Sequence, residues 1–171
     1  MPELMHVDDV AKIRVFGPPQ ALDGLSTPPD TIQGRIAPEE LVLLGRPGTA
    51  AALAARLEAE LAAHGPRALV VDHTDGWSCF ALVGDGLGEV FARLTHVPLP
   101  AAGAEPVFVM GRVCDVAAKV FVRGGRIDIL TGAEASDHVR HRLEEAVARV
   151  EQRSVVPGGD DTLVREQAVT R

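Results

Sequence analysis

A glycine pair between two arginines, Arg123-Gly124-Gly125-Arg126, separates the β-rich run Val116–Val122 from a second run beginning at Arg126. Two residues of this type between apolar stretches mark a tight hairpin, because a primed turn needs positive φ where glycine is comfortable. Antiparallel pairing is therefore built into this half of the chain. In the returning strand Arg126, Ile127, Asp128 and Ile129 alternate polar with apolar, which predicts one buried and one wet face. Val107–Cys114 supplies a further strand before this hairpin.

The same signal recurs upstream. Arg67–Asp72 is rich in Leu and Val, His73-Thr74-Asp75-Gly76 has turn composition, and Trp77–Val83 resumes a strand pattern, so a second hairpin is expected. Two strand-like runs between Thr31 and Leu44 flank the turn Ala37-Pro38-Glu39-Glu40, and Leu41–Leu44 is continuously apolar. Helical periodicity appears in three places. Thr49 precedes a helix from Ala50 to about Ala63 with Gly65 as its stop, and Leu53, Leu57 and Leu61 form its stripe. Gly84-Asp85-Gly86 opens a short helix to about Leu94, with Leu87, Val90, Phe91 and Leu94 on one face. The last helix, about Ser136–Gln152, aligns Val139, Leu143, Ala146, Val147 and Val150, with Glu145 and Arg149 as an i,i+4 pair.

Hairpins interleaved with three helices predict a mixed, largely antiparallel α+β domain rather than a doubly wound sheet. At 171 residues the chain matches one domain by the prior of about 150 residues each. We expect an extended arm over residues 1–30, punctuated by Gly17-Pro18-Pro19 and Pro28-Pro29 with one short strand near Lys12–Phe16. A single domain follows over 31–152, with a Pro/Ala-rich connection at Val97–Pro106, and residues 153–171 are expected as a flexible tail.

Charge bears on partners. The formal net charge is −7 and aromatics make up 4% of the chain, which argues against nucleic acid as the main ligand. An acidic chain is also expected to meet partners offering basic surface. The acidic N-terminus lacks the basic-then-apolar pattern of a signal peptide, and the gentle apolar stretch Ala50–Ala63 carries Arg56, Glu58 and Glu60. A soluble cytoplasmic protein without membrane contact is the expectation. Cys79 and Cys114 form no C-x-x-C pair and are expected as small buried side chains.

Gly84-Asp85-Gly86-Leu87-Gly88 places its third glycine one residue too early for a dinucleotide fingerprint, so it is expected as a turn onto a helix. His138 and His141 sit three apart on a helix without further metal ligands at suitable spacing. Asp72, His73, Asp75 and Ser78 lack a nucleophile elbow, and neighbouring strand residues point to opposite faces. No catalytic, cofactor-binding or metal residue is therefore assigned. Trp77, the only Trp, is expected as a core or interface anchor, and Arg123 and Arg126 as exposed tip residues, solvated in the first reading and in contact with an acidic partner surface in the second.

The stretch Ala68–Leu99 carries a specific order of features: Asp72 ending a strand, Thr74-Asp75 in a turn, Trp77 opening the next strand, Gly84, and the Leu87–Leu94 helix. This order resembles the sarcosine oxidase γ-subunit family, which belongs with folate-binding domains of glycine-cleavage T-protein type. The segment Arg112–Leu130 and the helix to Gln152 resemble the family's second half, so the likeness covers roughly residues 34–152. The resemblance implies a T-protein-like partial folate-binding fold and a non-catalytic γ subunit, not an enzyme by itself. Its partners would be larger α and β flavoprotein chains, which hold FAD, FMN, NAD and tetrahydrofolate in a heterotetramer that oxidatively demethylates N-methyl amino acids or related amines. The alternative is a free-standing tetrahydrofolate or one-carbon-binding module of aminomethyltransferase type.

Overall fold

The computed structural model describes residues 1–7, 9–100 and 106–155. Residues 101–105 of the expected connection and the expected tail beyond residue 155 lie outside the described residues. In chain order the elements are β1 (Glu3–His6), β2 (Val10–Phe16), α1 (Pro19–Asp23), β3 (Ile32–Ala37), β4 (Glu40–Pro47), α2 (Ala50–Leu61), β5 (Leu69–Asp72), β6 (Trp77–Val83), α3 (Leu87–Ala92), β7 (Val107–Val113), β8 (Val116–Arg123), β9 (Arg126–Gly132) and α4 (Ser136–Val155). The α+β class and antiparallel pairing stand as expected, with α1 as an additional short helix.

The strands form two antiparallel sheets, one of five strands in the order β1-β6-β9-β8-β7 and one of four in the order β3-β4-β2-β5. Three apolar layers hold them. Leu53, Leu57 and Leu61 of α2 pack with Ile13, Val15, Leu41 and Leu43 on the outer face of the four-stranded sheet. Val90 and Phe91 of α3 and Val139, Leu143, Ala146, Val147 and Val150 of α4 cover the outer face of the larger sheet, against Phe80, Leu82, Ile127 and Ile129. Between the sheets lie Val42 and Leu44 from one side and Cys79, Phe121 and Leu130 from the other. Each helical stripe read from periodicity thus finds its sheet.

Several expectations change. The N-terminal 30 residues contain β1, β2 and α1 rather than an appended arm, and β2 lies between β4 and β5. Ala11, Ile13 and Val15 on one face pack under α2, and Val10 and Lys12 on the other face are buried as well, so both faces are covered. Leu69–Asp72 and Trp77–Val83 do not form a hairpin. β5 pairs with β2, Ile13 opposite Asp72 and Phe16 opposite Leu69, while β6 is filled on both sides by β1 and β9. The turn composition at 73–76 was real, but it carries the chain from one sheet to the other.

Strand β9 has no wet face, because Ile127, Asp128, Ile129 and Leu130 are all buried. Asp128 faces the inter-sheet side with Leu130, and Arg126 Nε donates to its Oδ1 at 2.8 Å while the Arg123 guanidinium lies 3.1 Å from Oδ2. The glycine hairpin forms, with Arg123 opposite Arg126, but only Gly125 takes positive φ (69°). Left-handed geometry at the second central residue alone is the requirement of a type II turn, not a primed one. Thr49 makes no side-chain cap; its hydroxyl donates back to the Arg46 carbonyl at 2.8 Å. The expected Glu145–Arg149 pair is replaced by Arg142 to Glu145 at 2.9 Å.

The two sheets also meet along one flank, where the Phe108 ring of β7 occupies the space over Gly34 of β3, which a Cβ there would overlap. Gly34→Ala is expected to destabilise the fold by about 1–3 kcal/mol through overpacking. In urea denaturation, Gly34→Ala combined with Phe108→Ala should cost less than the sum of the two single changes, since the smaller side chain removes the clash. Strict additivity would show that this contact does not hold the flank.

Candidate functional site

The four residues that carry the chain between the sheets are tied on both sides. Asp72 Oδ1 accepts from the Thr74 amide at 2.8 Å, an Asx turn. Toward the four-stranded sheet, the His73 amide donates to the Lys12 carbonyl at 2.8 Å and the Lys12 amide to Thr74 Oγ1 at 3.2 Å. Toward the five-stranded sheet, the Gly76 and Trp77 amides donate to the His73 carbonyl, and the Ala133 amide to the Gly76 carbonyl at 3.1 Å. Asp72 is thus engaged in the turn, Asp75 is exposed and Ser78 is buried. Among the described residues no hydrogen bond joins Ser78 to His73 or Asp75, so these residues do not assemble as a triad.

What the crossing does build is an aromatic and cationic face at one end of the inter-sheet layer. The imidazole of His73 stacks on Trp77 with centroids 4.8 Å apart and planes 13° apart. Lys119 of β8 sets its ammonium 4.1 Å from the Trp77 ring centre. From β2, the Arg14 guanidinium lies 4.7 Å over Phe16 and 5.8 Å from Trp77, and its Nε donates to Glu40 at 2.8 Å. Cation–aromatic contacts of this kind contribute about 0.5–2 kcal/mol each, more where water is excluded. Burial, then Arg14, then Lys119 lower the His73 pKa, with Asp72 and Glu40 opposing. Burial and Arg14 lower that of Lys119, with Glu40 opposing.

Two exposed apolar side chains flank this face. Leu69, 57% exposed, sits opposite Phe16, and Met110, 48% exposed, sits opposite Lys119. Aromatic residues, Met and Arg are the types enriched in protein–protein contacts. Trp77 was legible in the sequence. Arg14 and Lys119 were missed, although cations set inside otherwise apolar strands were the available signal.

The structure does not bring Trp77 together with Arg123 and Arg126. Trp77 pairs with Gly132 at one end of β6, whereas Val83 pairs with Arg126 at the other. Six residues at about 3.3 Å each separate them by roughly 20 Å. The side chains of Arg123 and Arg126 are 36% and 27% exposed, and both bind the fully buried Asp128. The tip arginines therefore serve a carboxylate of their own chain.

The remaining candidates have local roles. Gly84 takes φ 104° beside the Met1 carbonyl, and Gly86 takes φ 79° as the residue preceding α3, where Glu89 lies in the first turn. His138 Nε2 lies 2.9 Å from the Cys114 carbonyl oxygen, and His141 lies 3.5 Å from Glu145. Among the described residues no group of three or more His, Cys, Asp or Glu is placed to hold a metal ion. Both cysteines are free and buried, and burial pushes their thiols up to about 12 at Cys79 and about 11 at Cys114.

No protein-family model matches the chain, and no curated protein sequence matches it. Solved structures do. A heterotetrameric sarcosine oxidase from Corynebacterium sp. U-96, in complex with pyrrole 2-carboxylate, contains a chain that aligns with TM-score 0.74 at 16% identity. The alignment covers 92% of this chain and 88% of that one. The two share one fold. The glycine cleavage system aminomethyltransferase T from Bartonella henselae aligns with TM-score 0.63 at 16% identity, over 83% of this chain but 45% of its own length. The T-protein-like fold implied by the Ala68–Leu99 pattern is therefore present. Among the described residues no helix is long and apolar enough to cross a membrane.

The stacked histidine gives a direct check on this face. Its proton is bound more weakly folded than unfolded, so stability is lost as pH falls below the unfolded value of 6.5. NMR titration of the His73 ring should show a midpoint below 6.5, moving upward in Lys119→Met. A normal midpoint insensitive to that change would show that Lys119 does not act on His73.

Proposed function

We propose that this chain is a non-catalytic accessory subunit, γ-like, of a heterotetrameric sarcosine oxidase-like flavoenzyme that oxidatively demethylates N-methyl amino acids or related amines. The observation that carries this reading is the reciprocal extent of the structural likeness. The chain matches a heterotetramer's chain almost end to end, whereas it matches less than half of the aminomethyltransferase. A unit of half that length supplies part of a folate cradle, and small-molecule sites bury most of their ligand. The larger α and β flavoprotein chains would hold FAD, FMN, NAD and tetrahydrofolate, and the assembly would be cytoplasmic.

The face we assign to the partner is the one around Trp77. Its partly buried rings exclude water, Leu69 and Met110 extend its apolar area, and Lys119 makes no ion pair among the described residues. A partner surface that fits it offers apolar side chains and a carboxylate within reach of Lys119. Arg123 and Arg126 are engaged with Asp128 first and contribute at most a rim contact.

Native purification of the tagged full-length chain is expected to bring flavin absorbance and larger chains with it. Trp77→Ala combined with Lys119→Glu should weaken that association at least tenfold, about 1.4 kcal/mol, while the chain stays folded by circular dichroism. A lone monomer in native extracts would overturn the reading. Calorimetric titration with tetrahydrofolate addresses the free-standing folate-binding alternative, for which saturable heat is required.

A further inference from the structure

A cleft of about 510 Å³ opens on the side of the molecule where the segment after α3 meets the β7–β8 turn and α4. Arg93, His96, Arg112 and Arg142 line it, with Asp115 as its one carboxylate, while Leu94, Val97 and Cys114 supply apolar surface. In a chain of net charge −7 this is a local reversal of sign. An adjoining recess adds Arg149, for which the described residues show no ion pair.

The guanidiniums remain available to a ligand. Arg93 pairs with Glu89 at 3.2 Å on the exposed surface, where such contacts are weak, and Arg142 pairs with Glu145 at 2.9 Å in a half-buried contact. Each guanidinium has five N–H donors, so one carboxylate leaves most of them unused. Arg112 has no carboxylate partner among the described residues; it donates to the backbone carbonyl of Asp115.

That carbonyl is placed by an unusual turn. Cys114 and Asp115 both take positive φ, 52° and 65°, between the paired residues Val113 and Val116. This is the primed geometry that normally calls for glycine. Strained backbone of this kind persists only where surroundings fix it, and it clusters at functional sites. Here the Cys114 amide donates to the Leu94 carbonyl at 2.8 Å, and the Cys114 carbonyl meets His138. The opposite wall is tied as firmly: Thr95 Oγ1 donates to the Arg112 carbonyl at 2.6 Å and accepts from the Val97 amide at 3.0 Å, and Val97 fills the space over Gly111. The walls are preorganised, so a ligand need not order them.

We propose that this cleft binds a small organic anion with two acid groups on a short apolar body. Planar guanidinium forks recognise carboxylate and phosphate oxygens in the same bidentate way. Leu94 and Val97 accommodate the carbon skeleton between them. The inference does not depend on the accessory-subunit reading, since it is tested on the isolated full-length chain.

Calorimetry and amide NMR with succinate in one arm and 3-phosphonopropionate in the other separate a dicarboxylate from a carboxylate paired with a phosphate-like group, with sodium chloride at equal ionic strength as control. Saturable binding of at least one probe at millimolar concentration is expected, with shifts at Thr95 and His96. Affinity should fall at least tenfold in Arg112→Gln and in Arg142→Gln and stay unchanged in Arg35→Gln, an arginine elsewhere on the surface. Absence of saturable binding in both arms would overturn the proposal. So would binding that chloride abolishes equally or that survives the double change Arg112→Gln with Arg142→Gln. Wild-type amide shifts locate the site even if a variant folds poorly.

Discussion

The inner strands β2, β4, β6, β8 and β9 are packed from two sides, and this double burial is the constraint on which the structure rests. Helices α2 on one side and α3 with α4 on the other cover the outer faces, while the sheets cover each other's inner faces. A polar side chain inside such an arrangement must be satisfied by protein groups, because an unpaired buried charge costs far more than a pair returns. Asp128 meets this demand in part: Arg126 hydrogen-bonds Oδ1, while Oδ2 has only the charge of Arg123, both arginines being drawn inward from the hairpin tip. The same constraint makes β2 a central strand despite its place in a proline-rich N-terminal region.

Local periodicity and turn chemistry were legible because they act within a few residues. The leucine stripe of α2, the apolar face of α4 and the Gly124-Gly125 hairpin all formed where their residues place them. Partner choice between strands was not legible at 69–83, since the same Asp-Thr-Asp-Gly composition suits a hairpin and a crossing between sheets. The decision came from β2, which offers β5 an edge more than 50 residues upstream in register with Ile13–Phe16. Primed-turn geometry was likewise assigned to the glycine pair, while the structure places it on Cys114 and Asp115, where burial and long-range hydrogen bonds override local preference.

The candidate sites divide in the same way. Trp77 stood out as the single Trp opening a strand. Its neighbours Arg14, Phe16 and Lys119 come from both sheets, so only the crossing brings them together. The net charge of −7 suggested a basic partner, but charge acts over about 8 Å in physiological salt, so the local face decides. Around Trp77 the local surface is aromatic, apolar and cationic, unlike the average of the whole chain.

Because Trp77 is the only Trp, a 5-fluorotryptophan-labelled chain gives one fluorine resonance that reports on this face alone. Fluorine NMR of that chain, titrated with the larger chains recovered by native purification, asks whether a partner buries Trp77. The resonance is expected to shift and to lose its solvent-isotope sensitivity as the complex forms. A complex that forms while the Trp77 signal keeps its shift and solvent exposure would contradict it.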